Sequence, residues 1–178
     1  MLSQKSLALQ GGTWLPRPRA LERFQLTDLQ GRSFDNQALV GHPTLVFFGY
    51  SNCPDICPTT LATIQAVLRQ SPIAGLQVLF VTIDPARDTP AALSPYLRAF
   101  DSTVVGLYGS DAALAPLERS LGALAERRET SAGSYRFDHS ATLYLLDGRG
   151  RMAAVFTPPI TAGALSADLR KLAQASIL

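Results

Sequence analysis

Cysteine is nearly absent from this chain: two residues in 178, Cys53 and Cys57, spaced Cys-x-x-x-Cys. Two thiols this close cannot staple distant parts of a fold. They fit a redox or metal site better than a disulfide scaffold. Histidine is as scarce, with only His42 and His139, and the four residues fall into no four-ligand zinc spacing. An excess of one charge sign is missing too. The formal net charge of +2 is too small to argue for nucleic acid or an anionic membrane surface as partner. No apolar run reaches the roughly eighteen residues of a membrane helix, and Met1 to Gln10 lacks the apolar segment of a signal peptide. The chain therefore reads either as cytosolic or as the soluble part of an anchored protein. Phosphate-cradling glycine loops and a Ser/His/Asp order are also lacking.

What is present suits one domain with a hydrophobic core: 178 residues, 47% hydrophobic and 17% charged. Residues 1–20, with Gly11-Gly12, Pro16 and Pro18, read as an extended arm, partly disordered, and residues 21–178 as the domain. Phe24 to Phe34 reads as a small hairpin turning at Asp28 to Gly31. Thr44–Gly49 reads as a buried strand, followed by a helix with Cys57 near its cap and Pro58 at its first position, ending before Ser71-Pro72. Gln77–Ile83 has the continuous apolar run of a parallel strand. Thr89 and Ser110 are set to cap two further helices, with Pro95 and Pro116 expected to kink or delay them and the second bearing Leu114, Leu117, Leu121 and Leu124. Val104–Tyr108 reads as a short strand, and Glu126 to Phe137 as an exposed hairpin around Ser131-Ala132-Gly133. Ala141–Leu146 and Met152–Phe156 make a hairpin turning at Asp147–Gly150, and a last helix runs from Thr161 with Leu165, Leu169 and Leu172 inward. This order is an α/β, thioredoxin-like pattern with an N-terminal hairpin extension: a βαβ unit with the cysteines after its first strand, then a ββα unit.

The cysteines thus lie on a strand-to-helix turn at a helix N-terminus, where unpaired N–H groups and a partial positive charge favour thiolate. The alternative is a structural disulfide or idle thiols. The wide spacing leaves room for a metal ion between the sulfurs without preventing a disulfide. His139 precedes the strand 141–146, at the loop that faces the cysteine turn in such a fold, so it can reach Cys53 and Cys57 as ligand or acid–base group. A purely structural histidine is the competing reading. Two thiolates and an imidazole form a soft, low-coordinate set suited to copper. Asp84, Arg87 and Asp88 leave the end of a parallel strand where α/β sheets place their sites. Helix capping with a surface Arg87–Asp88 arrangement is the plainer explanation. Asp84 can instead tune the site, and Asp138 can partner His139. Tyr50 reads as packing beside the site, Asp55 as an exposed contact for a partner, and His42 as a surface turn residue at the remote end.

Phe47-Phe48-Gly49-Tyr50 running into Cys53-Pro54-Asp55-Ile56-Cys57-Pro58, then Val81-Thr82-Ile83-Asp84-Pro85-Ala86-Arg87-Asp88-Thr89-Pro90, then Asp138-His139-Ser140 before Leu143–Asp147, resembles the SCO/SenC family of copper-handling proteins. The resemblance runs from about residue 24 to the C-terminus. It implies a thioredoxin fold anchored by an N-terminal helix to the periplasmic side of the bacterial inner membrane, or facing the mitochondrial intermembrane space. It implies copper, Cu(I) or Cu(II), held by Cys53, Cys57 and His139, and delivery of that copper to the dinuclear site in subunit II of cytochrome c oxidase. The alternative it allows is a thiol-disulfide oxidoreductase keeping the cysteines of that site reduced. Another copper chaperone or a thiol oxidoreductase would be a further partner. Ser51-Asn52 departs from the residues of many relatives, which bears on the choice of partner.

Overall fold

The computed structural model describes residues 7–70, 72–131 and 133–178. Along them run β1 (Gly12–Arg19), β2 (Gln25–Asp28), β3 (Ser33–Asp35), β4 (Thr44–Gly49), α1 (Ile56–Gln70), β5 (Gln77–Thr82) and α2 (Pro90–Arg98). They are followed by β6 (Val105–Tyr108), α3 (Asp111–Leu121), β7 (Ala125–Glu129), β8 (Tyr135–His139), β9 (Leu143–Leu146), β10 (Met152–Phe156) and α4 (Ala162–Gln174). Eight strands form one sheet in the order β1-β10-β9-β4-β5-β6-β2-β3, and β7 and β8 form a separate ribbon.

The centre of the sheet is parallel, β4 beside β5 beside β6. All six residues of β4 and five of the six of β5 are buried, as expected for strands covered on both faces. β9 and β10 complete the sheet as an antiparallel hairpin against β4, and α4 packs beside α1. This is the predicted thioredoxin-like arrangement of βαβ and ββα units. Phe47 and Phe80 meet edge to face at 5.7 Å in the core, and a fully buried Leu or Phe contributes about 1.5–3 kcal/mol. Because β4 and β5 are in register, Gly49 opposite Thr82, the loops that leave them start side by side.

Four local expectations are corrected. α1 starts at Ile56 rather than at Pro58. The Asp55 carbonyl accepts the Thr59 N–H at 3.2 Å and its carboxylate meets Thr59 Oγ1 at 3.4 Å, so Cys57 lies within the first turn. Leu124 is 79% exposed, because Gly122 adopts φ +72° and closes α3 before reaching it. Pro95 and Pro116 sit inside α2 and α3 without delaying them, since Thr89 and Ser110 cap the starts as predicted. Residues 12–19 of the predicted arm are extended and pair as β1 with β10, with a register shift between Trp14 and Arg19 that accommodates Pro16 and Pro18. Asp168 of α4 ties the arm down, accepting the N–H groups of Gln10, Gly11 and Gly12 at 2.7, 2.8 and 3.1 Å. Residues 1–6, Ser71 and Ala132 lie outside the described residues.

Candidate metal centre

The chain leaves β4 at Gly49, turns so that the Cys53 N–H meets the Tyr50 carbonyl at 3.2 Å, and enters α1. Cys57 is 0% exposed, while Cys53 is half-buried, and both are free thiols. Glycine is required at position 49 by close approach. A Cβ there would stand 2.9 Å from the Phe80 ring and 3.0 Å from Cys57 Sγ. The turn is held from below by Asp88, itself 0% exposed. Its carboxylate accepts the Ser51 N–H at 3.0 Å, the Thr82 hydroxyl at 2.7 Å and the Ser51 hydroxyl. Ser51 therefore points inward to a structural bond rather than outward to a partner.

His139 ends β8, and its Nε2 lies 3.3 Å from Cys57 Sγ across 82 residues of sequence. The donor atoms of Cys53, Cys57 and His139 all lie within 4.8 Å of one another. Nδ1 faces the Ser140 carbonyl at 3.2 Å. A carbonyl only accepts, so Nδ1 carries the proton of the neutral ring and the Nε2 lone pair faces the sulfur. Electrostatics agree. Burial lowers the His139 pKa, opposed in part by the Ser140 carbonyl and the Asp138 charge. Burial raises the Cys57 pKa well above the usual thiol range, with Cys53 and Asp88 adding to the rise. The expectation that the helix N-terminus makes this sulfur a thiolate is thereby corrected for Cys57. Desolvation wins, and the metal-free pair is a neutral S–H···N contact. A cation bound there would displace the proton, since a coordinating thiol is deprotonated outright.

The acidic residues divide. Asp84, 2% exposed, spends one carboxylate oxygen on Arg87 and the other on the Tyr135 hydroxyl at 2.9 Å. The partner of Arg87 is thus Asp84 and not Asp88, with Asp84 buried and the Arg87 side chain partly exposed. Asp138 does not hold His139. Its side chain is half-exposed and pairs with Arg128 at 3.1 Å and Arg136 at 3.5 Å. The cause is strand geometry, since neighbouring residues of β8 point to opposite faces. Tyr50 packs beside the site as predicted, its ring 5.7 Å from that of His139. Asp55 is exposed at the mouth, and His42 is exposed at the far end of β4. Sequence reasoning missed Tyr135 and Phe137. The alternation Tyr135-Arg136-Phe137-Asp138-His139 was the available signal that both share the inward face of His139.

The chain also has clear relatives. The SCO1/SenC family model matches residues 15–174. An SCO2-like protein of Rickettsia prowazekii is 35% identical over 144 residues, spanning 78% of this chain and 70% of that protein. The structure of Bradyrhizobium japonicum ScoI with copper bound superposes with a TM-score of 0.76 at 40% identity, covering 85% of this chain and 98% of that one. Yeast Sco1 with copper bound gives a TM-score of 0.80 at 30% identity, covering 89% and 90% of the two chains. With its Cys-x-x-x-Cys turn and facing histidine set on this fold, the chain belongs to the SCO1/SenC family.

Proposed function

We propose that this protein is a copper metallochaperone that carries one copper ion on Cys53 Sγ, Cys57 Sγ and His139 Nε2 and assists assembly of the dinuclear copper site in subunit II of cytochrome c oxidase. The observation that carries the reading is the convergence of three soft donors within 4.8 Å, fed by two separate parts of the chain. Two thiolates and an imidazole suit copper better than hard cations. The half-buried Cys53 gives an incoming ligand a sulfur to approach, so cargo can pass by stepwise ligand exchange. The relatives solved with copper bound support the choice of metal, and family membership supports the oxidase setting. The same membership supports a place on the periplasmic side of the bacterial inner membrane, held by an N-terminal anchor. Among the described residues no helix is long and apolar enough to cross a membrane.

The test is a titration of the fully reduced protein with Cu(I) against a competing chelator, with His139→Ala alongside. One tightly held ion per chain, weakened about 10-fold or more in the variant, supports the reading. Unchanged affinity in the variant removes His139 as a ligand.

A second reading is favoured by the unequal depth of the two thiols. As a thiol-disulfide oxidoreductase, Cys53 thiolate would attack a partner disulfide, releasing one partner thiolate and forming a mixed disulfide. Cys57 would give its proton to His139 Nε2 and attack Cys53 Sγ, expelling the second partner thiolate. The partner gains two electrons and the chain closes a 53–57 disulfide. A strongly reducing 53–57 couple supports this reading, and failure to exchange with any disulfide removes it.

A further inference from the structure

We propose that Tyr135 is a positioning residue for His139, latching the β7–β8 ribbon to the loop that leaves β5 and so setting how the histidine meets the two sulfurs. The inference rests on the three-donor reading above. It begins with a gap in the backbone bonding. β8 pairs with β7 and, among the described residues, with no strand of the main sheet. The cysteine turn grows directly out of the sheet, but no ladder fixes His139 against it. Side chains must do so.

Residues 135, 137 and 139 share the inward face of β8, alternating with exposed Arg136 and Asp138. Phe137 is held by Tyr50, whose hydroxyl oxygen receives the Phe137 N–H at 3.3 Å and lies 3.5 Å from its carbonyl. Tyr135 makes the stronger tie. Its hydroxyl donates to Asp84 Oδ1 at 2.9 Å. Its ring lies between two guanidinium groups, those of Arg87 and Arg127, each 3.8 Å from the ring centroid. Arg87 also donates from Nη1 to the Tyr135 carbonyl at 3.1 Å and pairs with Asp84. One aromatic side chain thus closes a loop of contacts through Asp84, Arg87 and Arg127.

A surface ribbon needs none of this to exist, since five residue pairs and the cross-strand ion pair of Arg128 with Asp138 already join its strands. The part-buried contacts of Tyr135 with Asp84 and Arg87 are directed at the 84–88 loop, and that loop has a second grip. Asp88, four residues along, holds Ser51 of the cysteine turn. A single short loop therefore braces the sulfur side through Asp88 and the imidazole side through Tyr135, and the spacing between them follows.

The two oxidation states of copper should feel this latch differently. Thiolates alone suit Cu(I), whereas Cu(II) favours nitrogen donors. The experiment compares the wild-type 178-residue chain, Tyr135→Phe and Tyr135→Leu, with His139→Ala as reference. Affinities for Cu(I) and Cu(II) are read by chelator competition, the Cu(II) state by electron paramagnetic resonance, and the metal-free protein by the His139 ring resonances in NMR. Tyr135→Leu is expected to lose about 10- to 100-fold in Cu(II) affinity with a smaller loss for Cu(I), and its Cu(II) spectrum is expected to move toward that of His139→Ala. Tyr135→Phe keeps the ring between the guanidinium groups and recovers part of the loss. Wild-type Cu(II) affinity and spectrum in Tyr135→Leu, whatever its melting temperature, overturn the latch. Should Tyr135→Leu fail to fold, Tyr135→Phe decides, and an unchanged Cu(II) affinity there counts against it. If His139→Ala binds copper like wild type, the three-donor reading falls. The latch is then judged on the metal-free protein, where unmoved His139 resonances in the Tyr135 variants overturn it.

Discussion

The C-terminal half of the molecule holds two hairpins built on opposite rules. β9–β10 lies inside the main sheet between β4 and β1. All four residues of β9 are buried, and its turn is closed by Asp147, which accepts the N–H groups of Arg149 and Arg151 at 3.0 Å each and pairs with the Arg151 guanidinium at 2.7 Å. β7–β8 stands outside that sheet. All five residues of β7 are exposed, and its ion pairs, within the strand or across it as in Arg128 with Asp138 at 3.1 Å, are surface pairs worth about 0–1 kcal/mol each. The first hairpin carries fold stability and no ligand. The second carries His139. The arrangement teaches that the sulfur side of the site grows out of the buried end of β4, with Cys57 itself buried, while the imidazole side hangs on a ribbon outside the sheet and is held by a few side-chain ties.

That contrast can be broken at several points. Leu145→Ala, in the fully buried centre of β9, is expected to cost about 2–5 kcal/mol. Chemical denaturation measures the loss, and copper affinity of the folded protein should stay near wild type. Gly49→Ala attacks the rigid side at the site itself. Its Cβ meets the Phe80 ring and Cys57 Sγ, so a destabilisation of about 1–3 kcal/mol should come with a displaced sulfur and weaker Cu(I) binding in chelator competition. A variant with wild-type stability would show that the β4 end yields more than the packing implies. Asp138→Asn sharpens the other side of the contrast. Its carboxylate is half-exposed and faces arginines rather than His139, so stability should move by no more than about 0.5 kcal/mol and copper affinity should not change. A clear loss of affinity would restore Asp138 as a support of the histidine.

Much of this was legible in the chain. The runs Thr44–Gly49 and Gln77–Thr82 were readable as parallel strands because burial on both faces leaves a continuous apolar signature. The three donors were readable because chain order alone brings the entry to β9 over the cysteine turn. What stayed hidden depends on distance through space. The Tyr135–Asp84 bond joins residues 51 apart, and no local pattern announces it. The protonation of Cys57 was misjudged because a helix N-terminus is a sequence feature while desolvation is a tertiary one. The extended arm reads as partly disordered rather than as a paired strand because Gly11, Gly12, Pro16 and Pro18 are loop residues by propensity. An edge strand tolerates them, since half of its N–H groups need no partner strand.

The unequal depth of the two sulfurs has a kinetic consequence. If the chain carries copper as proposed, Cys57 sealed beneath the turn and Cys53 at the mouth leave the ion one doorway for both arrival and departure. On that reading a donor and an acceptor docked over Cys53 would exclude each other, and loading and unloading would alternate. Throughput would then follow the arithmetic of a shuttle rather than a conduit. It would peak when donor and acceptor are comparably abundant and fall when either is in large excess, because the surplus partner occupies the doorway after its own turn is over.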